Sequence, residues 1–120
     1  MRFKYCKEGH AMDPSWKLCP VCIAPLKGWL VRLGEKHTGE VYTIHEGKSF
    51  IGSGAECEIR ILGGNLARQH AFLVVSDICS IVDMGNGEPL KINNAVLVKS
   101  ALIDGDVLLL GDFSFKIKLL

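Results

Sequence analysis

From residue 28 to residue 120, the sequence alternates short apolar runs with the turn-forming residues Gly, Asn and Asp. Runs of this length without a sustained helical period are typical of β-strands, and the 13 glycines of the chain suit the turns between them. We therefore predict an all-β fold, a sandwich of two antiparallel sheets with about ten to eleven strands. The predicted strands are 29–33, 40–45, 49–52, 58–61, 71–76, 79–84, 91–92, 95–98, 107–110 and 113–119.

The first 27 residues differ in kind, because they hold three of the five cysteines. Cys6 and His10 form one potential ligand pair, and Cys19 and Cys22 form a second pair after eight intervening residues. Two such pairs on tight turns present four donors, the number and the chemistry that structural zinc sites prefer. A Cys-x-x-Cys pair alone would also fit a redox motif, but the accompanying Cys and His favour a metal. We predict a zinc ion held by Cys6, His10, Cys19 and Cys22.

The same segment has too few large apolar side chains to bury a core of its own. Zinc binding contributes about 10–16 kcal/mol in comparable peptides, which is enough to order the segment. Because four protein ligands leave no open position for a reacting water, the predicted role of the metal is structural. The spacing resembles that of rubredoxin-like zinc ribbons, although Ile23 stands where those ribbons usually have Gly. The predicted domains are a zinc ribbon over residues 1–27 and a β-sandwich over residues 28–120.

Charge and hydropathy limit the possible partners. The formal net charge of +1 gives no whole-chain attraction to nucleic acid or to an acidic membrane surface. Residues 1–27 hold five basic and two acidic residues, so nucleic-acid contact through this segment stays a less favoured alternative. No apolar stretch approaches the roughly 18 residues of a membrane helix, so membrane insertion is not expected. Cysteines clustered beside a histidine favour metal over disulfides, which predicts a reducing, cytoplasmic location.

Four segments of the predicted sandwich follow the order of one protein family. Residues 50–53 end in Gly-Ser where the family has Gly-Arg, and residues 66–71 read Leu-Ala-Arg-Gln-His-Ala against Ser-Arg-x-His-Ala. Residues 83–94 run ungapped against Asp-Leu-Gly-Ser-Thr-Asn-Gly-Thr-Phe-Val-Asn-Gly, and residues 102–111 match Leu-x-Asp-Gly-Asp-x-Ile-x-Ile-Gly. On these residues the sequence resembles the forkhead-associated (FHA) domain, a β-sandwich. The resemblance implies that donors on two or three loops bind a phosphothreonine peptide.

The residues that would hold the phosphate are mostly changed in this sequence. In FHA order, Ser53 stands at the family's Arg, Ala67 at its Ser and Glu88 at its Asn. Arg68 is retained. The carboxylate of Glu88 would repel a phosphate in a partly desolvated site. We therefore predict a degenerate phosphothreonine site that binds its partner without phosphate, with phosphothreonine-dependent binding as the alternative.

Two other residues complete the predicted site. His70 corresponds to a histidine that FHA domains use to hold their loops together, so we predict a buried structural role for it. A register gapped by two residues would place Asn86 on the family's Asn, whereas the ungapped register preferred here keeps the match at residues 92–93. The predicted partner-binding residues are Ser53, Arg68, Asn86 and Glu88.

The function expected from these features is protein interaction rather than catalysis. No motif places a nucleophile beside a base. Cys57 and Cys79 fall in or next to predicted strands, where we expect them to be small buried hydrophobic residues. We predict a non-catalytic adaptor module that binds a protein or peptide partner. A phosphothreonine-peptide-binding signalling module remains the alternative.

Overall fold

The computed structural model describes residues 4–5, 11–12, 24–34 and 40–120 of the chain. Within this part, two short strands, β1 (Lys4–Tyr5) and β2 (Ala11–Met12), pair antiparallel. The predicted zinc ligands Cys6, His10, Cys19 and Cys22 lie outside the described residues. The described residues contain no group of three or more His, Cys, Asp or Glu arranged to hold a metal. The zinc site therefore stays a prediction.

Eleven strands in the region from residue 24 onward form two sheets, which confirms the predicted all-β sandwich. The six-stranded sheet has the order β10-β9-β12-β13-β3-β4 and contains β3 (Leu26–Arg32), β4 (Val41–His45), β9 (Lys91–Ile92), β10 (Ala95–Val96), β12 (Val107–Leu110) and β13 (Phe113–Leu119). The five-stranded sheet has the order β11-β8-β7-β5-β6 and contains β5 (Gly47–Gly52), β6 (Ile59–Arg60), β7 (Ala71–Val75), β8 (Cys79–Asp83) and β11 (Lys99–Leu102).

One strand pair departs from the antiparallel pattern. Strands β5 and β6 run parallel, with Ile51 opposite Ile59 and Gly52 opposite Arg60. The other paired strands of both sheets, within the described residues, are antiparallel. The parallel pairing matters for the site, because it places Arg60 beside the end of β5.

The core lies between the two sheets and follows the two-residue period of the strands. In β7, for example, Ala71, Leu73 and Val75 are buried, whereas Phe72 and Val74 face outward. Burying a side chain such as Leu or Ile contributes about 1.5–3 kcal/mol, so this layer supplies most of the favourable free energy of folding. The fully buried side chains of the core include Leu30, Ile44, Ile51, Leu73, Ile81, Leu90, Leu108, Leu110, Phe115 and Ile117.

The clearest differences from the predicted strands are β11 and the start of β3. Strand β11 (Lys99–Leu102) was not predicted, because Leu102 is its only buried residue. The apolar residues just before it led to a predicted strand at residues 95–98 instead. Strand β3 begins at Leu26, so the predicted domain boundary between residues 27 and 28 falls inside this strand. No helix in the described part of the chain is long and apolar enough to cross a membrane.

Candidate functional site

Three connections meet at one end of the sandwich, and we call them the loop face: residues 53–58, 61–70 and 84–90. Backbone hydrogen bonds join the first two, since the amides of Ser53 and Gly54 donate to the carbonyls of Ala67 and Arg68 at 3.1 and 3.0 Å. The second and third are joined by the Met84 amide, which donates to the His70 carbonyl at 3.1 Å. The loop face is therefore held together by the main chain.

Close backbone approach explains the glycine that ends β5. A Cβ atom on Gly52 would collide with the carbonyl oxygens of Ala67 and Arg68. Gly52 is the glycine of the Gly-Ser pair that the sequence places at the family's Gly-Arg. Any larger residue would push loop 61–70 away from β5 and open the site.

His70 lies beneath the loop face and is fully buried. Its backbone amide donates to the Ile51 carbonyl at 2.8 Å, and its Nδ1 accepts the backbone amide of Ala67 at 3.1 Å. Because Nδ1 is an acceptor, the neutral ring carries its proton on Nε2, which has no hydrogen-bond partner among the described residues. A Cβ on Gly87 would lie 3.0 Å from the ring, so loop 84–90 packs directly on it. These contacts fit the structural role predicted for His70.

The third loop is anchored by two polar side chains. The Asp83 carboxylate accepts the amides of Gly85 and Leu90 at 2.9 and 3.2 Å, which closes the loop on itself. The Asn86 side chain donates from Nδ2 to the Gln69 carbonyl at 2.8 Å and so ties this loop to loop 61–70. Glu88 is exposed and has no hydrogen-bond or ion-pair partner in the described part of the chain.

Two arginines flank a shallow cavity of ≈ 300 Å³ on the loop face. The cavity is lined by Ser53, Gly54, Ala55, Arg60 and Arg68. Nε of Arg68 donates to Oε1 of Glu56 at 2.9 Å, and Nε of Arg60 donates to the Ser53 carbonyl at 3.2 Å. The hydrogen bond from Arg68 is the main cause of the lowered pKa of Glu56, and the positive charge of Arg60 lowers it further. Glu56 is therefore ionised at neutral pH.

A buried thiol lies beside the backbone of Arg68. Sγ of Cys57 contacts the Arg68 carbonyl at 3.1 Å. Burial, followed by the negative charge of Glu56, raises the pKa of Cys57 to about 11. The thiol is therefore protonated at neutral pH and is a poor nucleophile. Cys57 and Cys79 are both free and buried, as the sequence predicted.

The predicted partner-binding residues divide into two groups. Ser53 and Arg68 line the cavity, whereas Asn86 and Glu88 belong to the third loop and do not line it. Ser53 turns its hydroxyl towards the Leu66 carbonyl at 3.3 Å. Arg60 was missed by the sequence analysis. The only signal for it in the sequence is a basic residue after the apolar Ile59. The parallel pairing of β5 with β6 is what places Arg60 beside the end of β5.

The fold and the loop face together define a β-sandwich that carries three joined loops at one end. The family model for the FHA domain matches residues 50–111, which is more than half of the 120-residue chain. The chain belongs to the FHA domain family. Members of this family are interaction modules.

Solved FHA domains show the same fold. One, studied for phosphothreonine-dependent FHA domain interactions, has a TM-score of 0.72 and 23% identity, over 78% of this chain and 97% of that one. The FhaA FHA domain, complexed with the intracellular domain of Rv3910, has a TM-score of 0.67 and 23% identity, over 78% and 99% of the two chains.

Mycobacterium tuberculosis EmbR, in complex with a low-affinity phosphopeptide, has a TM-score of 0.70 and 20% identity, over 78% of this chain and 24% of EmbR. At these identities the similarity concerns the fold. No curated protein gives a match to this sequence.

Proposed function

We propose that this FHA domain is a non-catalytic adaptor module that binds a peptide segment of a partner protein at the loop face. The observation that carries the proposal is the cavity flanked by Arg60 and Arg68, where three loops converge at the end of the sandwich. Loops on a rigid β-scaffold are a common location for binding sites. The buried His70 and the backbone bonds between the loops fix the shape of this surface before a partner arrives.

We further propose that binding does not require phosphate. A phosphate dianion presents three strong acceptor oxygens and needs several donors around it. Here the hydroxyl of Ser53 and the amides of Ser53 and Gly54 already donate to loop 61–70. Ala67 has no hydroxyl, and Glu88 adds a negative charge to the third loop. The neutral donors of a phosphate site are thus engaged or missing.

Phosphothreonine-dependent binding is the second candidate, and one observation favours it. Arg60 brings a second guanidinium to the cavity beside Arg68, which partly replaces the arginine missing at Ser53. Guanidinium groups are well suited to phosphate. Measurement of affinity with and without phosphate separates the two candidates.

Calorimetry with a phosphothreonine peptide library and with the same library after phosphatase treatment tests the proposal. We expect any binding to survive removal of phosphate and to weaken in Arg68→Ala. Sub-micromolar binding that is lost both on dephosphorylation and in Arg68→Ala would instead establish the second candidate. Circular dichroism of the variant, compared with the unchanged chain, controls for folding.

We also propose that residues 1–27 form a zinc ribbon with a structural metal held by Cys6, His10, Cys19 and Cys22. The proposal rests on the ligand types and their spacing. Elemental analysis of the purified full chain is expected to give close to one zinc per chain, and Cys19→Ser is expected to lower the zinc content and disorder the segment. Zinc well below one per chain, or unaltered folding in Cys19→Ser, contradicts the proposal. The cytoplasmic location likewise stays a prediction.

A further inference from the structure

Arg60 lies beside the loop face, at the end of strand β6, in a position that the family motifs do not specify. It is the last residue of the edge strand β6, it is exposed, and it lies opposite Gly52 at the end of β5. Its side chain lines the cavity together with that of Arg68, which comes from a different loop. The two guanidinium groups therefore reach one cavity from two separate elements, and we call them the arginine pair.

Each guanidinium group is held by a hydrogen bond from its Nε, which leaves its Nη nitrogens able to donate to a ligand. Nε of Arg60 is bound to the Ser53 carbonyl, and Nε of Arg68 is bound to Glu56. Neither set of Nη nitrogens has a hydrogen-bond partner in the part of the chain that the structure describes. An oriented guanidinium with free Nη groups presents two parallel donors, a geometry that matches the two oxygens of a carboxylate.

The charge of the cavity suits a monoanion better than a dianion. Glu56 is ionised and paired with Arg68, so the arginine pair and Glu56 together leave a single net positive charge. Glu58 does not line the cavity and turns to accept the Phe50 amide at 3.2 Å. The Ser53 hydroxyl and the amides of Ser53 and Gly54, which line the cavity, donate within the protein. The charged donors that a ligand would meet in the cavity are therefore the two guanidinium groups.

We infer that the arginine pair holds the carboxylate side chain of an Asp or Glu in the partner segment. This inference rests on the proposed function, because it names the chemistry that the same loop face recognises. Arg60 and Arg68 each donate from Nη to the carboxylate oxygens, and Glu56 keeps Arg68 in place. The ligand is thus an acidic, unphosphorylated peptide, with Arg60 as a residue that determines specificity.

The test begins with a displayed library of unphosphorylated random peptides, selected on the full chain. We expect the enriched peptides to share an acidic residue. Calorimetry then measures one enriched peptide and its Glu→Gln (or Asp→Asn) counterpart against the unchanged chain and against Arg60→Ala. Because a hydrogen bond to a charged group contributes substantially to binding, loss of the acid should weaken binding to the unchanged chain about tenfold. Against Arg60→Ala the same change should have a smaller effect, about threefold, because Arg68 still donates to the acid.

Two further variants serve as controls for this comparison of two peptides and two proteins. Arg60→Gln keeps the length of the side chain without its charge and should behave like Arg60→Ala. Lys118→Ala removes an exposed cation from the opposite, six-stranded sheet and should bind like the unchanged chain. Thermal unfolding of each variant confirms that the comparison is made between folded proteins.

The outcomes separate the inference from the proposed function. Binding of an enriched peptide that is equally sensitive to the Glu→Gln change with and without Arg60 overturns the inference and leaves the proposed function standing. Enriched peptides without a shared acid, or a phosphothreonine version that binds more than about tenfold tighter through Arg60 and Arg68, also overturn it. Absence of peptide binding to the loop face in every form overturns both.

Discussion

Two ion pairs of equal length serve different purposes in this domain. Nη1 of Arg32 lies 2.9 Å from Oε2 of Glu40, and Nε of Arg68 lies 2.9 Å from Oε1 of Glu56. The Arg32 side chain is 6% exposed, whereas the Arg68 side chain is 77% exposed. Distance alone therefore does not distinguish an arginine that stabilises the fold from one that is available to a partner.

The surroundings of the two arginines make the difference. The Arg32 guanidinium lies over the Phe113 ring, 3.5 Å from its centroid, so its cation is enclosed by an aromatic face as well as by Glu40. Arg68 has only the contact to Glu56 for its guanidinium within the described residues, and it borders the cavity. Exposed ion pairs add little to stability, while enclosed cations contribute through packing and desolvated attraction. The first pair belongs to the sandwich and the second to the loop face.

Removal of Arg32 should have the largest effect on stability. Arg32→Ala loses the contact with Phe113, the ion pair with Glu40 and the packing of its aliphatic stem, so the free energy of unfolding should fall by about 2 kcal/mol. Urea denaturation measures the change. Arg32→Lys keeps the positive charge but loses the planar stacking on Phe113. Its free energy of unfolding should lie between those of the unchanged chain and of Arg32→Ala. Unchanged stability of Arg32→Ala would mean that the enclosed pair is no more important than the exposed one.

Removal of Arg68 should weaken partner binding and leave stability nearly unchanged. Arg68→Ala should leave the urea midpoint close to that of the unchanged chain, because its side chain is exposed. Partner affinity should fall about tenfold, because a charged donor to the ligand is lost. Calorimetry with a selected peptide provides the measurement. If Arg68→Ala unfolded more readily but bound the peptide normally, Arg68 would stabilise the fold rather than contact the partner.

Glu56, the acidic partner of Arg68, should make the stability of the fold depend on pH. The pKa of Glu56 is lowered, mainly by the hydrogen bond from Arg68, whereas burial raises the pKa of Glu58 two residues later. Glu56 should stabilise the fold above the ordinary carboxyl pKa, and this contribution should disappear as the pH falls through its lowered value. Glu58 should favour folding at low pH, and its contribution should be lost as the pH rises through its raised value.

Carboxyl ¹³C NMR titration checks this order. Glu56 should titrate below Glu58, and Arg68→Ala should move Glu56 back towards its ordinary pKa while leaving Glu58 in place. Equal values for both carboxyls in the unchanged chain would show that the Arg68–Glu56 pair does not persist in solution.

The smallest expected change concerns Cys57, whose thiol donates to the backbone carbonyl of Arg68. With a pKa raised to about 11, chiefly by burial, Cys57 should react slowly with iodoacetamide at pH 8 in the folded protein. Mass spectrometry should find Cys57 unlabelled in Arg68→Ala as well, because its contact is with the backbone carbonyl of that residue. Labelling in urea is the positive control. Rapid labelling of the folded Arg68→Ala variant would show that the exposed side chain, rather than the fold, protects the thiol.

The sequence predicted more of the fold than of the site. Alternating apolar runs located most strands, because burial on one face leaves a two-residue period that is visible in the sequence. Gly105 in the turn at residues 104–106 has a φ of 91°, a conformation that glycine adopts readily. Strand β11 was missed because only Leu102 carries that signal. Family motifs located Ser53 and Arg68, but Arg60 depends on a parallel strand pairing that no local pattern encodes.

The proposed function depends on one property of the loop face, which is that it binds its partner without phosphate. The most direct measurement compares, by calorimetry on the full chain, one selected peptide that carries its native acidic residue with the same peptide carrying phosphothreonine at that position. We expect the acidic peptide to bind at least as tightly as the phosphorylated one, and both to bind more weakly to Arg60→Ala. Tighter binding of the phosphothreonine peptide by more than about tenfold, lost after phosphatase treatment, would contradict it.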